Sequence, residues 1–103
     1  MKATVVGIHG DLAGQRFPVG DSPVTFGRGD DNDIVITDPA VSRVHAELRQ
    51  EADGFMLADR GSANGTFVSY SGAPEAERCV RHNALKAGST VRFGGVTLRL
   101  DVS

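Results

Sequence analysis

The sequence predicts an all-β domain, a sandwich or a barrel of short strands, on three observations. Apolar segments recur about every eight to twelve residues between clusters of Gly, Asp, Asn and Ser, which is the spacing of antiparallel sheets joined by turns. Several segments alternate strictly between apolar and polar residues, as a half-buried strand requires. Helix has few places to form: only Ala73-Pro74-Glu75 offers a helix start, with proline in the first turn and glutamate behind it.

The first strand is predicted over Ala3 to Ile8, and the second, Gln15 to Val19, follows the turn Asp11-Leu12-Ala13-Gly14. Val24 to Gly27 and Ile34 to Ile36 come next. Val44 to Gln50 follows, with Ala46 and Leu48 alternating against Glu47 and Arg49. Phe55 to Asp59 repeats the alternation through Phe55 and Leu57. Gly61-Ser62-Ala63-Asn64-Gly65-Thr66-Phe67 has the chemistry of a hairpin turn, because Asn-Gly supplies the two positive-φ residues of type I′. Beyond it, Thr66 to Tyr70 and Arg78 to Arg81 are expected to form an extended hairpin around a polar loop. A helix is disfavoured there because Cys79 and Val80 stand too close to a break at Asn83. Thr90 to Phe93 and Val96 to Asp101 complete the set, the last with Val96, Leu98 and Leu100 on one face and Thr97, Arg99 and Asp101 on the other.

With 103 residues, 40% of them hydrophobic, the chain suits one domain with one core. The single cysteine, Cys79, has no partner for an internal disulfide or a thiolate cage, which fits a reducing compartment. No apolar run reaches membrane-spanning length and the N-terminus lacks a signal-peptide pattern, so the expected location is the cytoplasm. A net charge of -2 gives no footprint for nucleic acid. Nine of the eleven basic residues are arginine, the side chain whose planar fork matches phosphate and carboxylate.

Three polar clusters stand at strand ends, where a sandwich carries function: Gly27-Arg28, Ser42-Arg43-Val44-His45, and the Asn-Gly segment with Asp59 before it. Gly27 would let the backbone turn sharply and present Arg28 across the loop mouth; taken alone, Arg28 reads better as forming a surface ion pair with Asp30, Asp31 or Asp33. Ser42, His45 and Asp59 raise the thought of a hydrolytic triad, but no Gly-x-Ser-x-Gly elbow accompanies them. His45 reads better as a neutral imidazole that bonds loop backbone. The run Asp30-Asp31-Asn32-Asp33 fails the calcium-loop count, since the glycine position falls on Ile36 and the twelfth on Ser42. It reads as a solvated turn, and neither a metal nor a cofactor is expected.

Taken together, Gly27-Arg28, Asp33-Ile34, Ser42-Arg43-x-His45, Asp59, Gly61-Ser62-x-Asn64-Gly65-Thr66 and Phe93-Gly94 resemble the forkhead-associated (FHA) domain, over a motif region from 24 to 100 within a domain of residues 1–103. The resemblance implies an eleven-stranded antiparallel β-sandwich with the binding loops at one end. It implies a non-catalytic module that recognises phosphothreonine in a peptide, within a larger bacterial signalling or secretion protein. Arg28, Ser42 and Arg43 fall on the phosphate-binding positions, Asn64 with Ala63 on the peptide-binding ones, and Gly27, His45, Ser62 and Gly65 on the architectural ones. Ala63 stands where many relatives carry a hydroxyl, Ser69 where a second asparagine is common, and the loop from Tyr70 to Glu77 is longer than usual. The expected partner is a phosphothreonine protein, not nucleic acid or membrane, met by an isolated domain that is monomeric. The rival reading is a structural or oligomerising sandwich with a vestigial phosphate site.

Overall fold

The apolar halves of the alternating segments meet between two sheets. The computed structural model describes residues 2–52, 54–70, 77–79 and 81–103. The strands are β1 (Ala3–His9), β2 (Arg16–Val19), β3 (Val24–Gly27), β4 (Ile34–Val35), β5 (Ala46–Glu51), β6 (Gly54–Asp59), β7 (Phe67–Ser69), β8 (Glu77–Arg78), β9 (His82–Leu85), β10 (Thr90–Phe93) and β11 (Val96–Val102). One sheet has six strands in the order β2-β1-β11-β10-β7-β8 and the other five in the order β4-β3-β5-β6-β9. Helix is absent among the described residues.

Register puts each alternating set on one side. Val5 pairs with Leu100 and Val91 with Leu98 on the inner face of the larger sheet, while Leu48 pairs with Leu57 and Phe55 with Leu85 on that of the smaller. All are buried. Phe93 lies between the sheets, 5.0 Å from the Phe26 ring, so the core reaches to the end of the sandwich where β3 and β10 finish.

Five details differ from the sequence expectation. β3 and β4 run parallel, Phe26 opposite Ile34; the chain leaves β3, loops through six residues and re-enters along the same edge. β5 begins at Ala46, so Val44 and His45 belong to the preceding loop. Asn83 does not break the chain but sits inside β9, opposite Leu57. Its neighbour Ala84 pairs with Met56, and this cross-strand pairing overrides the weak intrinsic preference of His-Asn-Ala for extended structure. The hairpin expected around the polar loop is present as β7 and β8, with Phe67 opposite Arg78, but it is shorter than predicted, and the loop between Tyr70 and Glu77 lies outside the described residues.

The fifth concerns Asn-Gly. β6 belongs to the five-stranded sheet and β7 to the six-stranded one, so residues 60–66 cross between sheets instead of closing a hairpin. Asn64 does not take positive φ; Gly61 and Gly65 do, at 78° and 88°. A type I′ turn is therefore excluded.

Candidate functional site

Three connections meet at one end of the sandwich: 28–33 after β3, 36–45 before β5 and 60–66 before β7. The first two are joined through backbone. Arg28 N–H donates to the Ser42 carbonyl and Gly29 N–H to the Arg43 carbonyl, each at 3.0 Å. Gly27 permits the approach. Its φ is not positive, so it serves here by lacking a side chain and not by turning the chain: a Cβ would overlap the Arg43 carbonyl oxygen and crowd the Asn32 amide.

Asn32 is a residue that sequence reasoning missed. It is buried, and its Nδ2 donates to both the Gly29 and the Arg43 carbonyls at 2.8 Å. The acidic run is thus no simple solvated turn: Asn32 ties two loops, and Asp33 accepts from the Thr25 N–H at 2.9 Å. A single amide among three aspartates was the available signal, because an amide alone in that run can donate.

His45 joins the second loop to the third. It is fully buried; Ser42 N–H donates to its Nδ1 at 3.0 Å, and its Nε2 lies 2.9 Å from the Gly65 carbonyl. Accepting at Nδ1 leaves the proton on Nε2, so the ring is a neutral imidazole that donates to Gly65. Its edge meets Phe93, centroids 5.1 Å apart and planes at 79°, a favourable edge-to-face arrangement.

Asp59 shapes the third loop. Its carboxylate accepts from the N–H groups of Gly61 and Ser62 at 2.9 and 2.8 Å and from the hydroxyls of Ser62 and Thr66 at 2.6 and 2.7 Å. Burial works to raise its pKa, but the bonds from the Ser62 hydroxyl and N–H, then from Thr66 and Gly61, outweigh it and hold it below the ordinary carboxylate value. Ser62 Oγ in turn accepts from Gly65 N–H at 3.0 Å. Behind the loops, Asp38 accepts from Ala40 N–H and from Gly95 N–H in the β10–β11 turn; these two bonds lower its pKa as well.

On this frame stand the side chains that face solvent. Ser42 Oγ accepts from Ala63 N–H at 3.0 Å, which leaves its O–H free to donate outward. Asn64 Nδ2 donates to the Ala40 carbonyl at 2.7 Å, which fixes the amide and leaves its oxygen as an acceptor. Arg28 gives Nε to the Val41 carbonyl at 3.1 Å, and its terminal amino groups have no protein partner among the described residues. The surface ion pair with Asp30, Asp31 or Asp33 does not form; the ion pairs among the described residues are those of Glu47 with Arg49 and Arg60 and of Arg99 with Asp101. Arg28, Gly29, Asp30 and Arg43 line an open cleft of about 190 Å³. Two arginines lining one cleft, next to a loop joined to Arg28 through the Ser42 carbonyl and carrying the Ser42 hydroxyl, suit a small multivalent oxyanion.

Ser42, His45 and Asp59 are not assembled as a triad. His45 takes the Ser42 backbone N–H and not its hydroxyl, and Asp59 holds Ser62 and Thr66 rather than the imidazole. The arrangement has the parts of a binding site.

A family model for the FHA domain matches residues 24–94, the span that contains all three loops. The chain belongs to the FHA domain family. Among curated relatives, the FHA domain-containing protein FhaB of Mycolicibacterium smegmatis is 34% identical over 92 residues, covering 89% of this chain and 56% of the relative. The chain thus spans about half the length of the curated relatives it matches. Among solved structures, an FHA domain from a structural and functional analysis of phosphothreonine-dependent FHA domain interactions superposes with a TM-score of 0.81 at 28% identity, covering 100% of this chain and 98% of that one. Mycobacterium tuberculosis EmbR, in complex with a low-affinity phosphopeptide, superposes with a TM-score of 0.85 at 26% identity over 99% of this chain and 24% of EmbR. Membership of the FHA family accounts for the sandwich and for the placing of the three loops together.

Proposed function

We propose that this FHA domain is a non-catalytic module that binds phosphothreonine in a peptide or protein and so mediates phosphorylation-dependent association. The observation that carries the reading is the Arg28 guanidinium, in no ion pair among the described residues, on a loop bonded through backbone to Ser42, whose hydroxyl is left to donate outward. A phosphothreonine brings about -1.5 to -2 charges and three strong acceptors, and clusters of arginine are an established receptor for it. Arg28, Ser42 and Arg43 hold the phosphate. Asn64 holds peptide backbone, with Ala63 offering main chain but no hydroxyl of its own. Gly27, His45, Ser62 and Gly65 keep the loops in place. The similarity to an FHA domain solved for phosphothreonine-dependent interactions and to EmbR in complex with a phosphopeptide supports the phosphopeptide reading. Residues 1–103 form one such domain, a cytoplasmic part of a larger signalling protein. No helix among the described residues is long and apolar enough to cross a membrane.

Arg28→Ala and Ser42→Ala test the reading. Removing one partner of a charge-assisted contact costs roughly 2 to 5 kcal/mol, so either variant should lose measurable phosphopeptide binding by calorimetry while its melting temperature stays near that of the parent. Undiminished binding in Arg28→Ala would leave the domain as a sandwich with a vestigial phosphate site.

A further inference from the structure

The outer face of the six-stranded sheet is basic. Register puts Arg16 and Arg99 on either side of Val6, and Arg92 and Arg78 on either side of Phe67. Asp101 lies on the same face and is taken up by Arg99 through bonds of 2.6 and 3.0 Å. Arg78 and Arg92, by contrast, are in no ion pair among the described residues.

In the Arg92-Phe67-Arg78 row the ring lies between the two guanidinium groups. The Arg92 guanidinium carbon stands 4.4 Å and that of Arg78 6.0 Å from the Phe67 ring centroid, so the aromatic flanked by both holds them in place. Stacking occupies the faces of a guanidinium and leaves its edge donors for a carboxylate. One Arg92 donor reaches the Gly94 carbonyl at 3.2 Å; the others have no protein partner among the described residues. Phe67 is the first residue after the site loop. The Arg78 guanidinium also packs against Gly65, where an added Cβ would stand 2.8 Å from Nε. The row is therefore continuous with the surface around Asn64.

We infer that the Arg92-Phe67-Arg78 row is a docking surface for carboxylate side chains in the same chain that carries the phosphothreonine, so that the domain selects phosphothreonine flanked by acidic residues. This rests on the phosphopeptide reading given above. The phosphate grips one end, and the acidic flank, led past Asn64 and Gly65, meets the row on the sheet.

Three phosphothreonine peptides test it: one with glutamates before the phosphothreonine, one with glutamates after it, and one with glutamines throughout. One acidic peptide should bind about fivefold tighter than the neutral one, the upper range for an exposed ion pair, and the advantage should shrink as salt rises. The double variant Arg78→Gln/Arg92→Gln should lose the advantage and keep the neutral peptide's affinity. Equal binding of all three peptides by the parent protein, or an acidic preference that survives the double variant, overturns the inference and leaves the phosphate site standing. Failure of every phosphopeptide to bind overturns both.

Discussion

Two glycine-bearing connections, residues 10–15 between β1 and β2 and residues 60–66 between β6 and β7, look alike in sequence and are built differently. In the first, the backbone satisfies itself: Ala13 N–H donates to Gly10, Gln15 N–H to Leu12 and Gly14 N–H to Gly7, all at 2.8 to 3.0 Å. Among the described residues its one distant bond is from the Thr37 hydroxyl to Asp11. In the second, most polar groups are met by side chains, those of Asp59, His45 and Ser42 from outside the loop or its edge and that of Ser62 from within it, while Asn64 reaches out to the Ala40 carbonyl; the Arg60 N–H and the Thr66 carbonyl bond the backbone of His45 and Cys79. A connection closed on its own backbone only reverses the chain. One held by side chains of other loops has its shape fixed from several directions, and such fixed shape is what a receptor for one small charged group requires.

The largest effect that would sharpen this contrast comes from His45. In His45→Ala the Ser42 N–H and the Gly65 carbonyl lose their buried partner and a cavity opens beside Phe93. The combined cost is about 4 kcal/mol, from the large-to-small and unsatisfied-group ranges. Both melting temperature and phosphopeptide affinity should therefore fall together. A variant that melts like the parent yet binds poorly would show that the imidazole does not hold the loops.

Asp59 gives the next largest effect, and it depends on pH. Its folded pKa lies below the ordinary value of 3.8, so its contribution is fully present above that value and is lost as pH falls through the folded pKa. Asp59→Asn should cost roughly 2 to 3 kcal/mol near neutral pH, since bonds to a charged acceptor are replaced by bonds to an amide. The gap between variant and parent, followed by urea midpoints, should narrow below about pH 4. Asp38 and Asp101, whose pKa values are also lowered, keep some acid sensitivity in the variant. A gap that stays constant down to low pH would mean the carboxylate charge is not what orders the loop.

The smallest effect belongs to the other connection. Ala13 is exposed, and its part in the β1–β2 turn is played by its N–H, so Ala13→Ser should change stability by no more than about 0.5 kcal/mol and leave phosphopeptide affinity unaltered. A clear loss of binding would break the comparison, because it would make the self-closed turn part of the receptor.

The legibility of the sequence divides along the same line. The strands of the core were readable because period-2 alternation is local: Ala46 and Leu48, Phe55 and Leu57, and the set from Val96 to Leu100 all point inward as their pattern requires. β9 was not, because His82-Asn83-Ala84 has no apolar run and is strand only by pairing with β6. The parallel contact of β4, two residues long, leaves no trace in composition. At the site, Gly27, Arg28, Ser42, His45 and Asn64 were visible as a spaced set, and the structure brings them to one end. Their mechanisms were less visible. Asn-Gly carries a local hairpin preference that the crossover between sheets overrides, and Asn32 was masked by its acidic neighbours, since its role exists only where two carbonyls from different loops converge on it. Arginine content alone could not say which guanidinium is paired; among the described residues Arg99 is, and Arg28 is not.

The central claim is that the framed loops form a receptor for phosphothreonine, and one titration tests it most directly. Three otherwise identical peptides, bearing phosphothreonine, phosphoserine or threonine at one position, are added to the same protein. Arg28 and Ser42 alone would bind both phosphorylated forms alike. Burying the threonine methyl between the loops around Ser42 and Asn64 would add about 0.8 kcal/mol, or roughly fourfold, and branching at Cβ would lower the ordering cost further. The account predicts at least a several-fold preference for phosphothreonine over phosphoserine and no measurable binding of threonine. Equal affinity for all three peptides would contradict it.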